Sequence, residues 1–431
     1  MVYLLYDFII LIAACILLPF FGLKRILTSQ ESYGIRERLG FYDKEKFGNF
    51  HDREVIWIHA ASVGETRVAI LVARRMKEIY SNYTVLVTNM TKSGLAVSSS
   101  SEFVDHSLLF PVDLSFVVKR LLTLVRPELI IVVETEIWPN FTRQANQLGI
   151  PLVMVNGRIS DRSFPRYRLM RFLLRPILDC FSSFCMQSQT DSERITVLGA
   201  PGARVENTGN LKFDYDLMDV TADQVQQKIK QFKLPGKAAI LVAGSTHEKE
   251  ERQLLEAYRQ ISAQLDRDLV LVMIPRHPER KLEVQSLLRE LDFGYKLRSS
   301  LQEGDNPFAP GDVLLVDTLG EVLDFYSVAD LVFVGGSLVR VGGHNLLEAA
   351  LLAKPVVFGP YVNNFKEISA KLIRAGAGVK VENQRELVRQ SVIMLSDPAR
   401  CRAMGQAGSS LILENAGATE RILRHITKAL K

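Results

Sequence analysis

From residue 55 onward, short runs rich in Val, Ile and Leu alternate with longer stretches whose apolar residues recur every three or four positions. The first pattern predicts strands buried on both faces, and the second predicts amphipathic helices crossing between them, which together describe a parallel sheet. Six runs predict strands in the first half: VIWIHAA, YTVLVTNM, SLLFPVD, LIIVVETE, PLVMVN and SSFCMQS. The stretch from Asp214 to Gly236 then breaks the rhythm with charges and glutamines and reads as an interdomain connection. Five further runs, AAILVAGST, LVLVMIPRHP, DVLLVDT, LVFVGGS and PVVFGP, predict a second parallel sheet of similar size. Helical patterns from Asp397 to Lys431 carry no strand and are free to pack back across the first domain.

Residues 2 to 22 are apolar except for Asp7, and Lys24 and Arg25 follow directly. A bilayer core is matched by about 20 apolar residues, so this run either spans or lies shallow and tilted. Basic residues after the run place the C-terminal body in the cytoplasm, with a single N-terminal anchor in the inner membrane. A cleaved signal peptide has the opposite arrangement. Ile12-Ala13-Ala14-Cys15 looks like a lipoprotein cleavage box that would export the chain, but the basic start such a signal needs is missing. Tyr33 to Phe41, with Arg36, Glu37 and Arg38 among apolar residues, suits either a membrane surface or a plain linker. The expected fold class is therefore α/β, with two Rossmann-like domains whose parallel sheets face a cleft (the GT-B architecture), plus an N-terminal membrane helix. Its expected parts are an anchor over 1–22, an acceptor-binding domain over 23–213, a linker over 214–236 and a nucleotide-binding domain over 237–431.

Composition adds little to this picture and contradicts none of it. With 47% hydrophobic and 23% charged residues in 431, the chain is that of a folded protein long enough for two cores. A net charge of +5 favours anionic ligands only weakly. The four cysteines form no CxxC pair, and reduced, buried thiols are the expectation.

Ligands of parallel sheets bind outside the carboxyl ends of the strands, so the residues just after each run carry the chemistry. His59-Ala60-Ala61-Ser62-Val63-Gly64-Glu65 joins a strand to a helix, and Glu65 there can accept a hydroxyl proton or simply satisfy the helix dipole. Glu134-Thr135-Glu136-Ile137-Trp138-Pro139-Asn140 closes the fourth strand. Period-two geometry puts Glu134 and Glu136 on one strand face, so one or both line the cleft. In the second half, Gly244-Ser245-Thr246-His247-Glu248 opens a helix whose free N–H groups suit a phosphate. Pro275-Arg276-His277-Pro278-Glu279-Arg280 brings arginines to the same edge, and arginine is a preferred fork for phosphate and carboxylate. Thr318-Leu319-Gly320-Glu321, Gly335-Gly336-Ser337 and Gly342-Gly343-His344-Asn345-Leu346-Leu347-Glu348 add glycine-bearing loops and a carboxylate for ribose hydroxyls. No P-loop, GxGxxG, HExxH or paired CxxC is present. Asp214-Tyr215-Asp216 spells DxD but falls in the connection and reads as structural.

Taken in order, IHAASVGE, VETEIWPN, VNGRIS, GNLKFD, GSTHEKEE, PRHPER, DTLGE, VGGSL, GGHNLLEAA and FGPYVNNF resemble the bacterial 3-deoxy-D-manno-octulosonic acid (Kdo) transferase family over nearly the whole chain. The resemblance implies a metal-independent, inverting GT-B glycosyltransferase without a cofactor. Its implied partners are CMP-Kdo, the lipid A precursor and the inner membrane, and no nucleic acid. It implies Glu65 as general base, with Glu134 and Glu136 supporting acceptor or transition state. Arg276, Leu319, Gly320, Asn345 and Glu348 then fall in the CMP site with the neighbouring His277 and Glu321, while Ser245, Thr246 and Lys212 contact phosphate or the sugar carboxylate. Leu319 and Leu347 depart from some relatives, which carry Met and Pro there, and neither change removes a reacting group. The alternative is another GT-B enzyme acting on a UDP-sugar.

Overall fold

The computed structural model describes residues 6–8, 10–12, 34–42, 53–214 and 220–431. The chain divides into two compact units, one made of 1–214 with 416–431 and the other of 215–415.

In the first unit, seven strands run parallel: β1 (Val55–Ala60), β2 (Thr84–Asn89), β3 (His106–Leu109), β4 (Leu129–Val133), β5 (Leu152–Gly157), β6 (Ser183–Met186) and β7 (Val205–Asn207). Their order across the sheet is β3-β2-β1-β4-β5-β6-β7. Both faces are covered, and the period of two is visible in β1. Val55 and Trp57 enter a core with Phe110, Phe141 and Phe184, while Ile56 and Ile58 enter another with Val85, Ile131 and Val153. The second core is completed from far along the chain by Ala418, Ile422 and Ile426 of the helix Ala418–Leu430. Asp214 accepts hydrogen bonds from the N–H groups of Ala418 (3.2 Å) and Thr419, so the first acid of the DxD string caps a helix. Tyr215 and Asp216 lie outside the described residues.

The second unit repeats the plan with β8 (Ala239–Thr246), β9 (Leu269–Pro275), β10 (Tyr295–Leu297), β11 (Val313–Leu315), β12 (Leu331–Val334), β13 (Val356–Phe358) and β14 (Gly378–Lys380). Their order is β10-β11-β9-β8-β12-β13-β14, again all parallel. Within the stretch 214–236, Ala222–Gln231 is a helix with a capping box of Thr221 and Gln224, and Lys228 pairs with Asp324 of the helix Val322–Val328.

Of the fourteen strands among the described residues, the hydrophobic pattern misses β7, β10 and β14. All three are edge or outermost strands of three residues with little burial, so no apolar run marks them. The pattern also overextends LIIVVETE. The strand stops at Val133, because Glu134 adopts a left-handed backbone (φ 59°).

Most of the expected anchor over 1–22 lies outside the described residues, and among the described residues no helix is long and apolar enough to cross a membrane. What is described there is helical and packs on the first unit. The Asp7 carboxylate accepts from the Ser115 N–H (3.1 Å) and the Asn140 side-chain amide (2.7 Å). Cys180, Cys185 and Cys401 are free thiols, and burial pushes Cys185 up to about 12. Cys15 lies outside the described residues.

A close approach in the second unit yields a stability test. Gly405 sits inside the helix Pro398–Asn415, and a Cβ there would stand 1.8 Å from the Ala353 carbonyl oxygen. Helix propensity favours Gly405→Ala by about 1 kcal/mol, whereas overpacking against backbone costs about 1–3 kcal/mol. The expected outcome is net destabilisation, read as a lower midpoint in a circular-dichroism melt. An unchanged or raised midpoint would mean that the helix shifts freely.

Candidate functional site

Each unit presents its polar residues at the carboxyl ends of its strands, as parallel sheets do. In the first unit the turn after β1 is built around Ser62, which caps the helix Val63–Ile79. The Glu65 carboxylate folds back to accept from the Ala61 N–H (2.7 Å) and the Ser62 hydroxyl (2.8 Å), an arrangement close to a capping box. The structural role open to Glu65 from sequence is thus filled. It also fixes the carboxylate at the sheet edge, with lone pairs left over.

After β4 the chain turns at once. The Glu134 N–H still pairs with the Val155 carbonyl (2.9 Å), but its left-handed backbone removes it from strand geometry. The period-two argument for Glu134 and Glu136 therefore fails, yet both carboxylates sit within the field of Glu65. Burial and then the Glu65 charge raise the pKa of Glu134, against the lowering effect of Lys212 and Arg158. Glu136 accepts from the Trp138 indole N–H (3.0 Å), and burial, followed by the Glu65 charge, pushes it up to about 7. Glu65, Glu134 and Glu136 are thus one acidic group, and strained backbone at such a place is typical of functional sites.

Lys212, expected to contact phosphate or the sugar carboxylate, lies in the first unit, where its charge bears on Glu134. It rides on the short turn Leu211–Phe213, and three buried amides fix that turn. Asn210 accepts from the Lys212 N–H (2.9 Å) and donates to Gln187 (2.9 Å). Gln187 donates to the Asn156 carbonyl (2.8 Å), and Asn156 accepts from the Leu211 N–H (3.1 Å). Arg158, Asn156, Gln187 and Asn210 are absent from the sequence-derived site. Asn156, Arg158 and Asn210 lie in the VNGRIS and GNLKFD strings, and Gln187 is marked only by its position just after a strand end.

In the second unit the backbone kinks at Ser245 (φ 56°), where the register against β9 shifts between Gly244 and Thr246. The amides expected to be free for phosphate are partly taken. The buried Glu250 carboxylate accepts from the N–H groups of Gly336 (2.7 Å), Ser337 (3.0 Å), Leu338 (2.8 Å) and His247 (3.3 Å). Thr246 donates its hydroxyl to Glu251 (3.2 Å), which also holds Arg280 through two bonds of 3.0 Å. Arg276 is different. It is exposed just beyond β9, and its guanidinium has no hydrogen bond or ion pair among the described residues.

His247 and His344 meet at 2.7 Å between their Nε2 atoms, and the His277 ring stands edge-on to His247 at 6.0 Å. Burial, and then His277, Arg280 and Arg276, lower the pKa of His247. Of the histidines His247, His277 and His344, the sequence-derived site holds His277 alone. Among the described residues no group of His, Cys, Asp or Glu is arranged to hold a metal ion. Beyond β11, Leu319 is 81% exposed beside Gly320 (φ 85°), and Glu321 is engaged by Arg298 (2.8 Å) and Thr318. Asn345 donates to Glu348 (3.1 Å) and accepts from the Leu347 N–H (3.2 Å).

Two parallel, helix-flanked sheets with polar loops at their carboxyl edges define an α/β fold of GT-B type. A solved glycosyltransferase from Rickettsia africae shares it, with a TM-score of 0.56 at 12% identity over 88% of this chain and 99% of that one. So does a putative UDP-N-acetylglucosamine 2-epimerase from Listeria monocytogenes, with a TM-score of 0.53 at 16% identity over 88% and 96%. Residues 33–215 match the family model described as 3-deoxy-D-manno-octulosonic-acid transferase (kdotransferase). The transferase of that name from Haemophilus influenzae is 33% identical over 97% of this chain and 96% of its own. A bifunctional glycosyltransferase/methyltransferase from Fusobacterium nucleatum is 36% identical over 80% of this chain, which spans 53% of that relative's length. The chain belongs to the 3-deoxy-D-manno-octulosonic acid transferase family of glycosyltransferases.

Glu136 supplies a pH test. Its folded pKa of about 7 lies above the ordinary glutamate value of 4.5. Stability linked to it is therefore complete below the unfolded value and is lost as pH rises through the folded one. Both tryptophans, Trp57 and Trp138, lie in the first unit, so fluorescence during urea unfolding reports on that unit. Glu136→Gln should gain on the native protein between pH 5 and pH 8, by on the order of 1 kcal/mol after allowance for solvent screening. A gap independent of pH would remove Glu136 as the titrating group.

Proposed function

We propose that the protein transfers Kdo from CMP-Kdo to a sugar hydroxyl of a lipid A precursor, with inversion, without a metal ion, and at the cytoplasmic face of the inner membrane. The observation that carries this reading is the acidic group of the first unit, where a cap fixes Glu65 beside two carboxylates of raised pKa.

In this mechanism the Glu65 carboxylate takes the acceptor's hydroxyl proton as that oxygen bonds to the anomeric carbon of Kdo. The bond from that carbon to the phosphate oxygen breaks, and its electron pair leaves with CMP. Attack opposite the departing phosphate inverts the centre. Glu134 and Glu136 position the acceptor, and the raised pKa of Glu136 keeps a proton available for donation near neutrality. Lys212 and Arg158 offer cations to the sugar carboxylate.

On the nucleotide side, Arg276 is the uncommitted guanidinium suited to the leaving phosphate. Ser245 and His277 flank it on neighbouring strand ends, the exposed Leu319 and Gly320 offer a surface to the base, and Asn345 with Glu348 receives hydroxyls. Thr246 and Glu321 act by holding their loops, because their polar groups are bonded to Glu251 and to Arg298 with Thr318. A monophosphate leaves with less charge than a diphosphate, so cationic side chains and helix N-termini suffice for it. Residues 1–22 would add membrane attachment, as the apolar run suggests.

Glu65→Gln is expected to lower turnover by a factor of about 100 or more, while CMP binding measured by calorimetry stays within about twofold of the native protein. A variant that retains more than about a tenth of the native rate would exclude Glu65 as the base. Competition by UDP as strong as that by CMP would favour the UDP-sugar reading.

A further inference from the structure

Residues 2–22 hold one charged side chain, Asp7, and an ionised carboxylate within such an apolar run is costly unless something pairs with it. Its partners lie in the first unit, beyond the carboxyl ends of β3 and β4. There the helices Ser115–Val125 and Pro139–Gln147 begin, with Leu114 and Trp138 as their N-cap residues. Neither side chain can accept a hydrogen bond, so the first amides of both helices need acceptors from elsewhere.

Two carboxylates supply them. Asp113, itself buried, accepts from the N–H groups of Asn140 (3.0 Å) and Phe141 (2.8 Å) and so caps the second helix. Asp7 accepts from the Ser115 N–H (3.1 Å) and the Ser115 hydroxyl and so caps the first. Asp7 also takes the Asn140 side-chain amide (2.7 Å), which donates as well to the Asp113 carbonyl (2.6 Å). The Tyr6 hydroxyl donates to the Asp113 carboxylate, so two consecutive residues of the N-terminal segment bind one cluster.

Asn140 ties that cluster to the acidic group. It is the second residue of the helix that follows the turn from Glu134 to Trp138, and Trp138 donates its indole N–H to Glu136 (3.0 Å). The Trp138 ring lies 5.5 Å from that of Phe110, which meets Phe141 at 5.1 Å. Holding Asn140 and Phe141 therefore fixes where Trp138 and Glu136 sit. The left-handed backbone at Glu134, at the other end of the turn, persists only where its surroundings over-determine it.

We propose that Asp7 is a positioning residue for the transfer reaction: by capping the helix Ser115–Val125 and gripping Asn140, it holds the turn that presents Glu136 to the acceptor. This role rests on the one given above to Glu136, and Asp7 itself touches no reacting atom.

The test uses the full chain with detergent-solubilised acceptor, so that attachment to a bilayer contributes nothing. Asp7→Ala should lower kcat/KM for the acceptor at least about tenfold, while the KM for CMP-Kdo stays within about twofold of native. Asn140→Ala should do the same, and the double variant should be no more than about twofold worse than the Asn140 variant, because both changes break one link. Losses that multiply in the double variant would overturn the proposal, as would a loss by Asp7→Ala confined to acceptor held in bilayers. Asp7→Asn keeps a carbonyl oxygen for Ser115 and should restore part of the rate; it also carries the comparison if the alanine variant melts below the assay temperature. Hydrogen exchange read by mass spectrometry is independent of turnover. Amides from Glu134 to Phe141 should exchange at least about tenfold faster in Asp7→Ala, with those of the second unit unchanged. Unchanged exchange there would overturn the proposal, and faster exchange with native kcat/KM would reduce Asp7 to a structural cap. Native protein without transferase activity would instead sink the transfer reading, and exchange would still decide whether Asp7 holds the turn.

Discussion

Every neighbouring pair of strands among the described residues is parallel, and that constraint organises the rest. A parallel pair cannot be joined by a tight hairpin, so each strand must be followed by a return across the sheet face. All strand-to-helix turns of one unit then emerge along one edge. Residues as far apart as Glu65, Glu136 and Lys212 become neighbours in charge because they share that edge, and the same holds for His247, His277 and His344 in the other unit. The edge also collects helix N-termini, whose unpaired N–H groups need acceptors.

The two units answer that need differently. At Ser62 the acceptor is a half-buried glutamate that keeps spare lone pairs at the surface. In the turn Gly336 to Leu338, which opens no helix, free amides meet the same kind of acceptor in the buried Glu250, which accepts several of them and has none of its charge to offer a ligand. A carboxylate at a strand end thus either braces a loop or serves a reaction. Burial and the number of amides it accepts separate the two.

This division explains what the sequence could tell. Long apolar runs such as VIWIHA and LVLVMIP announce central strands because both their faces are buried, whereas Val205–Asn207 and Tyr295–Leu297 at the edges lack the pattern that burial imposes. Glu65, Glu134 and Glu136 were legible as a set from position after strands. Their relation was not, since it depends on a left-handed residue at 134 that no periodicity shows. The commitments of Thr246, Glu321 and the Gly336 amides were hidden for a related reason. Their partners Glu251, Arg298 and Glu250 read as ordinary helix or loop charges until the fold brings them together.

The return of Ala418–Leu430 to the first unit has a consequence in time. Ala418, Ile422 and Ile426 complete the core that Ile56, Ile58 and Val153 share with the helix Val63–Ile79, and they leave the ribosome only after the entire second unit has. The unit that begins first is therefore finished last. The helix Val63–Ile79 covers part of that face from the start, and until the last helix arrives the remainder is an open apolar surface, the kind of nascent intermediate that chaperones shield. Maturation of the protein is gated by a segment that lies far from every reacting group in sequence and holds none of them.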